Sequence, residues 1–318
     1  RRSTIDPNPH QIEAAMFALQ RLSSGGAMLC DEVGLGKTIE AGFILKELLA
    51  RGPIQRVLVV CPANLREKWR IEMHQRFGVE FKTITAADIR SIRADVQRGG
   101  WPSFFGIMSL EGLRRDELQE VLLETGIQFD LVVIDEAHHM RNPQTLSFQL
   151  GEILSDQADH LLLLTATPVQ TGATDLLALL RLIEPAQFRG TSTDDLDHLL
   201  EPNAHINKAL ALLSKPDPDA KEVVSALEGV YDTELAQGFR HNPIFSTWMD
   251  KLRDGETLTP IVIAVLRRDL QGVHTLAPYY TRTRKREVED VARRRSHLYH
   301  VELSPKEATF YNAWVDYV

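Results

Sequence analysis

Five short apolar runs constrain this chain more than any other feature: residues 27–30, 57–61, 104–108, 131–134 and 161–164. Each is continuously apolar instead of alternating. A strand reads this way when both of its faces are covered, which is the condition of a parallel sheet. Between the runs lie helical patterns. One carries Ile12, Met16, Leu19 and Leu22 on one face, and others cover about 37–50, 64–76, 111–123, 144–155 and 174–183. Strands alternating with helices of this length predict a doubly wound α/β sheet with helices on both faces. After Glu184-Pro185 the strand runs stop. Amphipathic stretches at 196–200, 206–213 and 223–231, with Pro216, Pro218, Pro243 and Pro260 as punctuation, predict a helical insertion. The expected division is a sheet lobe over 1–190, the insertion or protrusion over 191–278, and a basic segment over 279–318. That last segment is expected to return to the sheet, with a candidate strand at 298–303 and a helix-like run at 305–318. The run stops without a terminating signal, as a piece of a longer protein would.

Composition excludes several classes. With 318 residues, 43% hydrophobic and 25% charged, the chain can bury a substantial core. Its two cysteines, Cys30 and Cys61, sit inside apolar runs and build neither a disulfide framework nor a CxxC metal motif. No stretch of about 18 apolar residues could span a membrane, and the start from Arg1 to Pro9 has no apolar signal core, so a reducing, cytoplasmic setting is expected. The net charge of −8 is uneven: 194–234 holds ten acids against three lysines, and 282–295 holds seven basic residues against three acids. Phosphate binding follows such local fields, not the average.

Two motifs carry chemistry. Asp31-Glu32-Val33-Gly34-Leu35-Gly36-Lys37-Thr38 falls between an apolar run and a helical pattern. Gly34, Leu35 and Gly36 would let backbone N–H groups approach a phosphate, and the helix start would face it. Lys37 would meet the β- and γ-phosphates, and the Thr38 hydroxyl would coordinate Mg²⁺. Asp31 stands where the usual pattern has its first glycine. The second motif, Leu131-Val132-Val133-Ile134-Asp135-Glu136-Ala137-His138, is an apolar strand ending in two carboxylates, with Asp135 lying 98 residues beyond Lys37. Asp135 would hold the Mg²⁺ through water, and Glu136 would orient and deprotonate the attacking water. Together they predict a nucleoside triphosphatase. His138 and His139 are adjacent, with no third ligand at metal spacing, so a zinc site is not expected.

These motifs, followed by Leu164-Thr165-Ala166-Thr167-Pro168-Val169-Gln170, resemble helicase superfamily two. The spelling of 31–38 is similar to the Swi/Snf branch of double-stranded DNA translocases, and Val33 with the paired histidines most resembles its bacterial, RNA-polymerase-associated (RapA/HepA-like) members. The resemblance covers about 5–185 strongly and 275–300 weakly. It implies a RecA-like lobe using ATP and Mg²⁺. It also implies adenine recognition by Gln11, coupling of the nucleotide site to DNA through His138, Thr165 and Thr167, and backbone-phosphate contacts at Pro62, Asn64 and Ser109. Arg282, Arg284 and Lys285 would form a basic strip near DNA or near a second lobe. Trp69, within the same segment as Pro62, reads as a packing residue. Thr165 and Thr167 have a second reading, as caps of the helix beginning near Thr174.

The same resemblance implies partners: double-stranded DNA, a second RecA-like lobe of the same protein, and RNA polymerase or a defence-system complex. The second lobe would supply arginines worth ~10³–10⁵ in rate, so this chain alone is expected to hydrolyse ATP very slowly. Two other functions fit the residues: an RNA or single-strand helicase of the same superfamily, and a nucleotide-gated protein-binding module.

Overall fold

The computed structural model of the chain describes residues 7–100, 102–113, 116–166 and 173–283, and Glu307. Apart from Glu307, these belong to one unit, Arg1–Arg284. Thr167, Arg284, Lys285 and the candidate strand at 298–303 lie outside the described residues.

The five apolar runs form five strands of one sheet: β1 (Ala27–Leu29), β2 (Arg56–Cys61), β4 (Phe104–Ser109), β5 (Leu131–Asp135) and β6 (Leu161–Leu164). Among the described residues two short strands join it, β3 (Lys82–Thr83) and β7 (Tyr280–Thr281). The order is β3-β4-β2-β5-β6-β1-β7, and every pairing is parallel. The continuous hydrophobicity now has its cause, because each strand feeds two cores alternately. In β2, Val57, Val59 and Cys61 enter the core on one face, and Leu58 and Val60 enter the other. In β5, Leu131 and Val133 take the first face, and Val132 and Ile134 the second. Each such side chain contributes about 1.5–3 kcal/mol by leaving water.

One face is covered by α1 (Pro9–Arg21), α2 (Lys37–Arg51) and α3 (Arg66–Phe77). The other is covered by α4 (Ala86–Gln97), α6 (Asp116–Thr125), α7 (Leu146–Asp156) and α8 (Ala173–Ile183), with α5 (Leu110–Leu113) a single turn before α6. The pattern expected as one helix over 111–123 is therefore two. In α1 only the later half of the expected face turns inward: Leu22 is buried and Leu19 packs partly buried against the core. Ile12 and Met16 are 44% and 55% exposed, and the buried face is His10, Gln11, Ala14, Ala15 and Ala18 with Leu22 at the cap. The small alanines let α1 lie close on α2, and the polar pair is drawn in by the loop described below.

Past α9 (Pro185–Phe188) come α10 (Thr193–Leu212), α11 (Ala220–Glu228), α12 (Ala236–His241), α13 (Pro243–Arg253) and α14 (Pro260–Gly272). They enclose a third core around Ile206, Leu227, Phe245 and Leu266. Helix α10 starts on a Ser192–Asp195 capping box and runs through Pro202, joining the stretches 196–200 and 206–213 into one element. Leu196 packs in a sheet-side core and Ile206 in the third, so the changeover falls inside this helix. The chain then returns through β7 to the edge of the sheet beside β1.

Candidate functional site

Ligands of open parallel sheets gather at the carboxyl ends of the strands, where the order reverses. Here β6 lies between β5 and β1, with Asp135 in register with Leu164 and Leu164 with Leu29. The phosphate-type loop leaves β1, the paired acids leave β5, and Thr165 leaves β6, all at one edge. Thr165 is fully buried and donates its N–H to the Leu29 carbonyl at 3.0 Å, fixing the middle strand's exit against the first. It stands well before α8 and is not that helix's cap.

The loop depends on backbone that glycine allows. Gly34 has φ 90° and Gly36 φ 102°, both in the left-handed region, and Gly36 caps α2. A Cβ on Gly36 would lie 2.4 Å from Gln11 Nε2, so a side chain there would be strained and would displace the Gln11 amide. That amide donates to the Leu35 carbonyl at 2.9 Å, the same oxygen lies 3.1 Å from His10 Nε2, and Gln11 Oε1 accepts from the Asn8 N–H at 3.2 Å. Gln11 is 4% exposed and hydrogen-bonded at both ends, to the loop and to its own helix start. Lys37 opens α2 and donates its ammonium to the Asp31 carbonyl at 2.7 Å, across the loop mouth.

Asp31 has its own task. Its Oδ1 accepts from the Thr283 N–H at 2.7 Å, and the ladder from β7 continues along the loop through Cys30 N–H to Thr281 O (2.8 Å) and Glu32 N–H to Thr283 O (3.1 Å). A glycine at 31 could not make the first bond. Beneath the loop, Asp31, Glu40 and His10 are all buried and close enough to meet at one point. Among the described residues no donor meets Asp31 Oδ2 or either Glu40 oxygen. A proton shared between the two carboxyls accounts for this. Burial first, then the neighbouring Asp31 charge, pushes Glu40 up to about 9, and burial also raises Asp31, against the pull of its Thr283 bonds. This polar cluster was not found from sequence. Its only signal was the acid standing in place of the usual glycine.

At the end of β5, Asp135 is 7% exposed and held through both oxygens: Oδ1 by the Glu136 N–H at 2.9 Å and Oδ2 by the Trp69 indole N–H at 2.8 Å. Burial raises its pKa, and the Trp69 hydrogen bond opposes that. Glu136 has φ 52°, and it is the one non-glycine residue with positive φ among those described. Such a conformation costs about 1–3 kcal/mol and is kept where the surroundings impose it. It turns the Glu136 carboxylate to within 3.0 Å of His138 Nδ1, and the His138 and His139 rings lie 4.4 Å apart.

The remaining candidates sit along the same edge. Cys61 is in register with Ser109, so the turns after β2 and β4 are neighbours, and Ala63 N–H donates to Glu111 across them at 3.1 Å. Pro62 is half-buried and Asn64 exposed in that turn, and Ser109 Oγ accepts from the Gly112 N–H at 3.1 Å. Arg282 is half-buried beyond β7. Cys30 and Cys61 are free and fully buried, and burial pushes Cys61 up to about 12, so both act as core residues.

Residues 10–317 match the SNF2-related domain family. The chain is 39% identical over 186 residues to RNA polymerase-associated protein RapA of Stutzerimonas stutzeri (strain A1501), covering 57% of this chain and 19% of that protein. It is 38% identical over 184 residues to RapA of Serratia proteamaculans (strain 568), with the same coverage. The match thus spans about a fifth of the length of these curated relatives. Among solved structures, the SWI2/SNF2 ATPase core domain of Sulfolobus solfataricus aligns over 100% of this chain and 52% of its own, with a TM-score of 0.51 and 18% identity. The same organism's core in complex with dsDNA aligns over 85% and 70%, with a TM-score of 0.49 and 16% identity.

Proposed function

Because this chain belongs to the SNF2-related domain family, we propose that it is the ATP-binding motor lobe of a double-stranded DNA translocase, hydrolysing ATP with Mg²⁺ to move on or remodel protein–DNA complexes. The observation that carries the reading is the convergence of the glycine-capped loop, Asp135 and strained Glu136 on one sheet edge. The cradle fits a triphosphate: α2 presents its N-terminus there, and a side chain at Gly36 would be strained. The donors fit Mg²⁺, since the Thr38 hydroxyl and the Asp135 carboxylate are hard oxygen ligands. When bound, Mg²⁺ would neutralise charge developing on the phosphate oxygens.

The chain's own residues would do the rest. Lys37 would exchange the Asp31 carbonyl for phosphate oxygens, and the N–H groups of Gly34, Leu35, Gly36 and Thr38 would line them. Glu136 would take the proton of the attacking water, with His138 beside it as the route by which Thr165, Thr167 and the DNA-facing loops sense the reaction. Pro62, Asn64 and Ser109 would follow a DNA backbone, joined by Arg282, Arg284 and Lys285. Such contacts read no bases, so binding would depend on salt and hardly on sequence. RNA polymerase or a defence complex would be the protein partner, in a cytoplasmic setting.

The test is the ATP turnover of the full-length protein with duplex DNA, single-stranded DNA and RNA. Stimulation by duplex above the other two supports the reading. Preference for RNA or a single strand would move it to the helicase alternative. Partner binding that follows nucleotide yet survives Glu136→Gln, with no nucleic-acid stimulation, would replace it with a nucleotide-gated binding module.

A further inference from the structure

Trp69 lies on α3, far in sequence from the acidic pair, yet its indole N–H meets Asp135 Oδ2 at 2.8 Å. The ring is 1% exposed, which removes base stacking from its possible roles. Packing alone does not explain the residue. Its neighbours in that core, Met73, Phe77 and Val133, are apolar, and a phenylalanine would fill most of the same space. What tryptophan adds is a donor that can never accept. It therefore selects a carboxylate lone pair and fixes the plane of the Asp135 side chain, while the Glu136 N–H fixes the other oxygen. Ligand carboxylates of metal sites are held in this way by outer partners, whose loss typically costs 10–100-fold in metal affinity.

The location gives the contact a second consequence. Helix α3 begins at Arg66, directly after the 3₁₀ turn Ala63–Leu65. It is locked to α2 near its other end, where Phe77 packs on Gly42 so closely that a Cβ would lie 2.1 Å from the ring. The indole is thus carried by a helix packed closely on the helix that opens with Lys37 and Thr38. The two cation-binding oxygens of the proposed site are braced by one pair of helices.

We propose that Trp69 is a positioning residue for the cation: its indole N–H holds the Asp135 carboxylate in the orientation that binds Mg²⁺ beside Thr38. This rests on the nucleotide-site reading above. The test measures equilibrium binding of ADP and ATP to the chain in Mg²⁺ and in EDTA, for the native protein, Trp69→Phe, Asp135→Asn and the double variant. In the native protein Mg²⁺ should tighten nucleotide binding. If it does not, the nucleotide-site reading itself fails. Trp69→Phe should lose about tenfold or more of that Mg²⁺-dependent tightening and keep its affinity in EDTA. The double variant should bind as Asp135→Asn alone does, since the tryptophan acts only through the aspartate. Equal losses with and without Mg²⁺, or losses that add in the double variant, would show a packing role and overturn the proposal, as would a Trp69→Phe protein with native Mg²⁺ dependence. A Trp69→Phe chain too unstable to assay would overturn it as well, because it would make the ring's packing the dominant role.

Discussion

Gln11 shows how a side chain's contacts can suggest a role beside the one a resemblance implies. The resemblance puts it at the nucleotide, and it lies against the phosphate loop, but its amide holds the Leu35 carbonyl. Shaping the loop predicts an effect blind to the base. Gln11→Ala should weaken ATP and GTP binding alike, by about threefold to tenfold for one lost hydrogen bond. A loss confined to ATP in competition binding would show adenine readout instead. Glu40 carries a second prediction. Asp31, Lys37 and His10 surround it, and burial raises it to about 9 from an ordinary 4.5. The folded chain then keeps a proton that the unfolded chain releases, so this group's stabilisation is full below 4.5 and fades as the pH climbs toward about 9. Glu40→Gln, which keeps a donor and loses the titration, should flatten that decline in urea-unfolding midpoints measured across the interval. A decline unchanged in the variant would mean that the pair does not share a proton. Neither feature was legible in the sequence, because both depend on what a side chain meets from another element.

The strands were legible because their covering on both faces leaves no polar alternation, and five of the five runs lie in the sheet. The exceptions have physical causes. β3 and β7 are two residues long, too short to carry a pattern. In α1 Ile12 and Met16 face outward while Ala14, Ala15 and Ala18 are buried, with Phe17 and Leu19 packed partly buried against the core. Contact between α2 and α3 is tight. Phe77 lies over Gly42 and is backed edge-on by Phe43 at 5.4 Å. Gly42→Ala would gain helix propensity, yet it must push that ring aside. The expected outcome is a net loss of about 1–3 kcal/mol in unfolding free energy, the usual cost of overpacking. A neutral or stabilising result would mean that the two helices separate freely and would weaken the argument that α3 is held in place.

At the scale of the molecule, a seven-stranded sheet sets three loops on one edge, and the helices past α9 form a core of their own. The edge was readable in outline: the order of the loop after β1 and the acids after β5 follows from the two motifs. Their mutual closeness comes from β6 inserting between the two strands, which no local pattern announces. We propose that these loops form one nucleotide site with divided labour. It is tested most directly by measuring ATP binding and turnover for the native protein, Lys37→Ala and Glu136→Gln, with and without duplex DNA. Lys37→Ala should lose binding, and Glu136→Gln should bind ATP as the native protein does but no longer turn it over, with or without DNA. Native ATP binding by Lys37→Ala, or native turnover by Glu136→Gln, would contradict it.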